Sequence, residues 1–161
     1  MNNKYQKLDA LNQVAAFHNT FKAPIIINPA IPPKDRAILR VALLQEELDE
    51  LKKAIDDNDL VEVADALCDL QYVLSGAVLE FGLGNKFPEL FDEVQRSNMS
   101  KACQTEQEAL DTIEDYKKKG IDTFFEYNEE TNLYPVYRKV DNKILKSINY
   151  SKTNLLPILK K

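Results

Sequence analysis

Apolar residues recur at helical spacing through most of the chain. Leu8, Leu11, Val14, Ala15 and Phe17 predict a first helix over residues 3 to 20. A second apolar pattern starts at Lys34 or Asp35 and runs to Ile55. The string DDND interrupts it, and Asp57 or Asn58 can cap the helix that follows. This third helix covers residues 59 to 81 and stops at Gly82 and Gly84. FPELFDEVQRSNMSK predicts a shorter fourth helix and TEQEALDTIEDYKKKG a fifth. In the fifth, Thr105 and Glu108 are spaced as a capping box, and Gly120 ends the run.

Two stretches break the helical pattern. FKAPIIINPAIPP, residues 21 to 33, carries four prolines among apolar residues, which predicts an extended loop packed on a neighbour. After Gly120 the chain becomes rich in aromatic and β-branched residues, and YRKVDNKILKS predicts two short strands around Asp141 and Asn142. LLPILKK reads as a tail that docks apolar side chains. The expectation is an all-α fold with a small C-terminal β-hairpin appendage.

The acids do not follow a plain amphipathic pattern. A helix turns roughly 100° per residue, so with Leu43 at zero, Leu44, Leu48, Leu51 and Ile55 spread from roughly 80° to 140°. Glu47 falls at roughly 40°, inside that apolar arc, and Glu50 lies at its edge, at roughly −20°. Glu46 and Asp49 point further round, toward water. On the third helix, Val63, Ala66, Leu67, Leu70, Val73, Leu74 and Ala77 form the apolar arc, and Glu62, Asp65 and Asp69 edge it. A short turn joins the two helices, so they are expected to pack antiparallel with their acid edges facing. Bare carboxylates held together raise each other's pKa. All-oxygen donors without His or Cys suit Mg²⁺, with Mn²⁺ the next choice, and Mg²⁺ commonly links carboxylates to phosphate. Charge runs on helices are also commonly solvated, because Glu is a good helix former.

Composition narrows the classes. The chain has 161 residues and 44% apolar content, which suits one domain over 1–161. Four glycines argue against a Gly-rich phosphate loop. A net charge of −5 without a basic run argues against nucleic acid or an anionic membrane as partner. Cys68 and Cys103 with the single histidine His18 make neither a zinc pattern nor a disulfide framework, and Cys68 is expected to be a buried thiol. The absence of a signal-peptide pattern and of a long apolar run leads to the expectation of a cytoplasmic protein.

EELDE followed by EVADALCDL resembles the E-x-x-E and E-x-x-D signature of the all-α nucleoside triphosphate pyrophosphohydrolases, the MazG-like superfamily. FHNTFKAPI, the following P-x-I-P, LRVALLQEE, FDEVQRSNMSK and YPVYRKVDNKILKSINY resemble, in order, its Cof-like, dimeric dUTPase-like branch. The likeness covers residues 12 to 103 and 133 to 161, leaving 104–132 as an insertion before the C-terminal hairpin and tail. Gln95 stands where that branch has His, and Asn142 where it has Gly.

The resemblance implies a four-helix core that forms a homodimer or a dimer of dimers. It implies Mg²⁺-dependent hydrolysis of a nucleoside triphosphate, with dUTP or a non-standard dNTP as candidates, to the monophosphate and pyrophosphate. By motif position Glu47, Glu50, Glu62 and Asp65 would bind the metal, and Glu46 would activate the attacking water. Arg96, Asn98 and Lys101 are candidates for phosphate, sugar or base contacts. His18 and Phe21 are candidates for a base pocket. Two other readings compete: phosphoribosyl-ATP pyrophosphohydrolysis, and a non-catalytic helical dimer whose acids bind only a structural cation or a basic partner.

Overall fold

The computed structural model describes residues 5–161. Residues 3 and 4 of the expected first helix lie outside them. The chain divides into two compact units, Met1–Phe87 and Pro88–Lys161.

The first unit contains α1 (Ala10–Phe21), α2 (Lys34–Asp56) and α3 (Leu60–Glu80). α1 begins later than its apolar pattern suggested, and Leu8, which that pattern placed in the helix, is exposed ahead of its first turn. Asp9 precedes the first turn instead and accepts from the Asn12 amide at 2.8 Å. Between α2 and α3, Asn58 turns the chain with a left-handed φ of 54°. The next residue, Asp59, is extended, and its carboxylate accepts from Val61 N at 2.9 Å and Glu62 N at 3.2 Å. Asp59 is therefore the cap, not Asp57 or Asn58. The turn lays α2 and α3 antiparallel: Arg36 and Arg40 early in α2 meet Glu80 at the end of α3.

The proline-rich loop packs, as its apolar content predicted, on the end of α3. Ile26 N donates to Leu79 O at 3.0 Å and Ala30 N to Phe81 O at 3.1 Å. Gly82 makes this approach feasible. Its φ is 67°, and a Cβ there would lie 2.0 Å from Asn28 O.

The second unit contains α4 from Pro88 onward (the helix spans Phe87–Met99), α5 (Glu106–Lys118), β1 (Thr123–Phe125), β2 (Val136–Arg138) and α6 (Leu156–Lys160). The expected capping box forms with a shift. Thr105 accepts from Glu108 N at 3.1 Å, and the Glu108 carboxylate accepts from Gln104 N at 2.9 Å, one residue early. The hairpin also differs from expectation. β2 pairs antiparallel with β1, Phe124 opposite Tyr137, and the Asp141–Asn142 turn returns only a single bridge, Tyr137 to Ile144. The expected insertion, 104–132, thus supplies α5 and β1. Its Ala109 is wholly buried with Cys103 and Val136, and Ile113, Phe125 and Tyr134 pack around them. In the tail, Ile158 of α6 is buried. The fold is mostly helical with one small antiparallel hairpin, and no helix among the described residues is long and apolar enough to cross a membrane.

Candidate active site

Glu47 is the organising residue of the acid cluster. It is half-buried on α2, as its place inside the apolar arc required. Burial pushes its carboxyl above the ordinary value, and the charges of Asp69, Glu50, Glu46 and Asp65 push it further. These acids come from both helices of the hairpin, so charges on α2 and α3 act on one carboxyl. Glu50, at the edge of the arc, is exposed, and Leu48 and Ile55 on the arc's far side are exposed too. Glu46 is exposed, in keeping with its expected water-facing position, and Asp65, expected to edge the apolar arc, is exposed as well.

Asp69 is the residue sequence reasoning undervalued. It is half-buried and is the strongest of the charges acting on Glu47. The signal was present: Asp69 follows Asp65 by four residues and so shares its face. Glu62 is set apart from Glu47. It lines an open cavity of about 340 Å³ with Glu50, Lys53 and Asp59 beside the α2–α3 turn.

Five carboxylates and no imidazole or thiolate form a hard donor set that fits Mg²⁺ or Mn²⁺ and not Zn²⁺. A cation among these acids would relieve the repulsion that helps to raise the Glu47 carboxyl. Among the described residues no three His, Cys, Asp or Glu side chains are already drawn together at metal-binding spacing.

The other predicted residues fall in different settings. His18 is 2% exposed. Its Nδ1 donates to Pro24 O at 2.9 Å, which leaves Nε2 to accept from Arg40 Nη2 at 3.3 Å. Its ring is therefore enclosed, and both nitrogens are engaged. Gly76 makes room for this contact, because a Cβ there would lie 2.6 Å from Arg40 Nη1. Arg40 and Arg36 both donate to the wholly buried Glu80. Burial alone would raise the Glu80 carboxyl, but the two guanidinium groups overcome it and hold it below the ordinary value. Phe21, by contrast, is exposed, with its ring 4.4 Å from Phe17.

In the second unit, Arg96 grips Glu93 through Nε at 2.6 Å and Nη2 at 2.8 Å. It also donates to Ser151 Oγ at 2.9 Å and Lys152 O at 3.1 Å, tying α4 to the C-terminal stretch. With the Asn154 N–H added, this pairing holds the Glu93 carboxyl down at about 2. Lys101 Nζ donates to Asn98 Oδ1 at 2.7 Å, so those two candidates stand together. Cys68 is exposed, not buried, and lines an apolar cavity of about 350 Å³ with Leu8, Val14 and Tyr72.

An uncharacterized protein of Acanthamoeba polyphaga mimivirus is 37% identical over 81 residues, which is 48% of this chain and 32% of the relative. The chain thus matches well under half of that relative's length. Residues 14–98 match the family model described as phosphoribosyl-ATP pyrophosphohydrolase, a stretch that holds all of α1, α2 and α3 except the first turn of α1. That match takes in more than half of the chain, which therefore belongs to the phosphoribosyl-ATP pyrophosphohydrolase family, hydrolases of a nucleotide pyrophosphate bond within the MazG-like all-α superfamily.

Proposed function

We propose that the protein hydrolyses a nucleoside triphosphate group between its α and β phosphates, releasing pyrophosphate and leaving the monophosphate. The observation that carries this reading is the half-buried Glu47 surrounded by Asp69, Glu50, Glu46 and Asp65 from two antiparallel helices. So many like charges around a partly buried acid are costly unless a cation and its anionic ligand complete the site.

Glu47, Glu50 and Asp65, with Asp69 beside them, would hold Mg²⁺, and Glu62 would join from the turn end of the hairpin. When bound, the metal supplies charge neutralisation of phosphate oxygens and lowers the pKa of a coordinated water. Glu46 is exposed and one residue before Glu47, which suits it to take the proton from the attacking water. Lys101 and Asn98, paired in the second unit, are proposed as polar contacts for a nucleotide. Arg96 is already committed to Glu93, so its role is to fix α4 and the C-terminal stretch.

A nucleoside triphosphate such as dUTP or a non-standard dNTP is the substrate favoured by the order of the N- and C-terminal motifs. Phosphoribosyl-ATP is the second reading, favoured by the family match over residues 14–98. Both carry the same triphosphate, so the same carboxylates serve either. A homodimer is part of the proposal. Leu48, Ile55, Leu67 and Leu74, which the apolar pattern placed in a core, are exposed on the single chain, and a second copy would cover them.

One assay tests the reading. The protein is incubated with Mg²⁺ and a panel of NTPs, dNTPs and phosphoribosyl-ATP, and pyrophosphate and orthophosphate are measured separately. Pyrophosphate is expected from at least one of them. Orthophosphate alone would mean that a different bond is cut, and neither product would leave only the cation-binding helical dimer.

A further inference from the structure

The C-terminal stretch of the second unit is cationic in an acidic chain. Residues 138 to 161 carry seven Lys or Arg side chains and one acid, Asp141, although the net charge of the protein is −5. Arg138 engages that acid, its Nε donating to Asp141 Oδ1 at 2.8 Å. The stretch is strapped along the end of α4. Ser147 N donates to Lys101 O at 3.0 Å, Ser151 N to Ser100 Oγ at 3.0 Å, and Arg96 Nη2 to Lys152 O at 3.1 Å. Tyr150 lies among these ties, half-buried, with its hydroxyl 3.1 Å from the Oγ of the buried Ser97. Lys146 Nζ sits over the Tyr150 ring, 4.4 Å from its centroid. The Ser97 hydrogen bond lowers the Tyr150 hydroxyl below its ordinary value, burial opposes it, and the charges of Lys146, Lys101 and Lys152 lower it further. Three ammonium groups thus act on one hydroxyl. Among the described residues none of the three forms an ion pair with a carboxylate.

We propose that Lys146 and Lys152, gathered with Lys101 around Tyr150, form a binding site for a multiply charged phosphoryl anion of the pyrophosphate class. An ammonium group offers a phosphoryl oxygen a full charge and up to three donors, so several together suit a ligand charged along its length. Lys101 spends one donor on Asn98 Oδ1, at 2.7 Å, and keeps the others. The ring beneath Lys146 holds that side chain in place, which lowers the cost of ordering it on binding. Ser97 and Tyr150 share one hydrogen bond, so one O–H of the pair remains to donate. A free pyrophosphate and the phosphate end of a nucleotide present the same oxygens to these groups. Binding here needs neither a divalent cation nor turnover, so it stands or falls independently of the pyrophosphohydrolase reading.

The test is isothermal titration of the full chain with inorganic pyrophosphate in EDTA, where no cation can bridge the carboxylates of the first unit to phosphate. One pyrophosphate is expected to bind per chain, more weakly as NaCl rises. Lys146→Gln and Lys152→Gln are each expected to weaken binding about tenfold, the scale of one charge-assisted hydrogen bond, and the double variant more. Both lysines are exposed, so these variants are expected to fold as wild type does, which circular dichroism checks. The double arginine variant, Lys146→Arg with Lys152→Arg, keeps the charge and is expected to keep binding. Lys139→Gln with Lys143→Gln removes as much charge outside the cluster and is expected to bind like wild type. No binding at about 1 mM pyrophosphate overturns the site. Equal weakening by the two double glutamine variants overturns it too, since the attraction would then be diffuse. A lowered melting temperature with unchanged affinity in Lys146→Gln and Lys152→Gln assigns the lysines to the carbonyl end of α4 and also overturns it. Where wild type turns over a nucleotide with Mg²⁺, kinetics separate the two sources. A KM raised by the same factor as the pyrophosphate Kd assigns the site to the nucleotide's own phosphates. An unchanged KM, with inhibition by added pyrophosphate relieved, assigns it to the free anion.

Discussion

Arg40 on α2 and Glu80 on α3 form an ion pair whose acid is wholly shielded from water. About two turns further along α2 and three turns back along α3, Glu47 and Asp69 oppose each other as like charges. One hairpin thus has its electrostatics satisfied at one end and left open at the other. The satisfied end fixes the register that brings the acids of the open end together.

Breaking the satisfied end should be costly. Glu80→Gln leaves two guanidinium groups facing a neutral amide in a buried setting. A loss of about 3 kcal/mol is expected, the usual scale for removing one partner of a buried pair. Urea unfolding of the two proteins measures it, and a difference below about 1 kcal/mol would show that water reaches the arginines.

The two acids should respond to pH with opposite signs. Glu80 has a lowered folded value, so its contribution is fully present above the unfolded value of about 4.3 and is lost as pH falls through the lower folded value. Glu47 has a raised folded value, so its penalty is fully present above that value and is relieved as pH falls toward the unfolded one. Thermal melts without divalent cation should therefore show Glu80→Gln below wild type at neutral pH, the gap closing only in strong acid. Glu47→Gln should melt above wild type at neutral pH, and that gap should close on mild acidification.

The same Glu47→Gln protein should release no pyrophosphate, because the gain in stability comes from removing the charge the site needs. Glu46→Gln should lower kcat by at least about 100-fold, the usual scale for a lost general base, with Mg²⁺ affinity by titration little changed. Equal loss of Mg²⁺ affinity in both variants would remove the distinction between base and metal ligand.

Gly82→Ala should be among the most damaging small changes in the first unit. The new methyl would press on Asn28 O, and φ at 67° is unfavourable for any residue with a Cβ. A fall of more than about 1 kcal/mol is expected. Hydrogen exchange at Ile26 and Ala30, whose amides bond to the end of α3, should speed up with it.

The two thiols should separate cleanly. Cys68 is exposed and Cys103 is wholly buried. Ellman's reagent should titrate one thiol quickly in the native protein and the second only on unfolding. Cys68→Ser should remove the fast phase.

Periodicity made α2 and α3 legible, because a long apolar repeat bounded by an acid-rich turn admits few other structures. The placement of Glu47 was legible for the same reason, since phase alone put it among leucines. Burial was less legible. Leu48, Ile55 and Cys68 carry the pattern of core residues yet are exposed, because periodicity marks a face for covering without saying whether the same chain covers it. The Arg36–Glu80–Arg40–His18 network could not be read from local pattern, because its members come from three helices and only the tertiary fold joins them. The hairpin was misplaced because Asp141 and Asn142 form a tight turn, while the partner of β2 lies in a stretch that looked like an addition.

That stretch, 104–132, changes what shortening the protein would mean. It provides the only strand paired with β2 among the described residues, and the helix that seals Cys103 and Val136 from water. Excising it would not return a trimmed ancestor with its ending intact. It would strip the frame from YPVYRKVDNKILKSINY and leave that ending with nothing to fold upon. Likeness in that last motif therefore does not by itself carry likeness of shape.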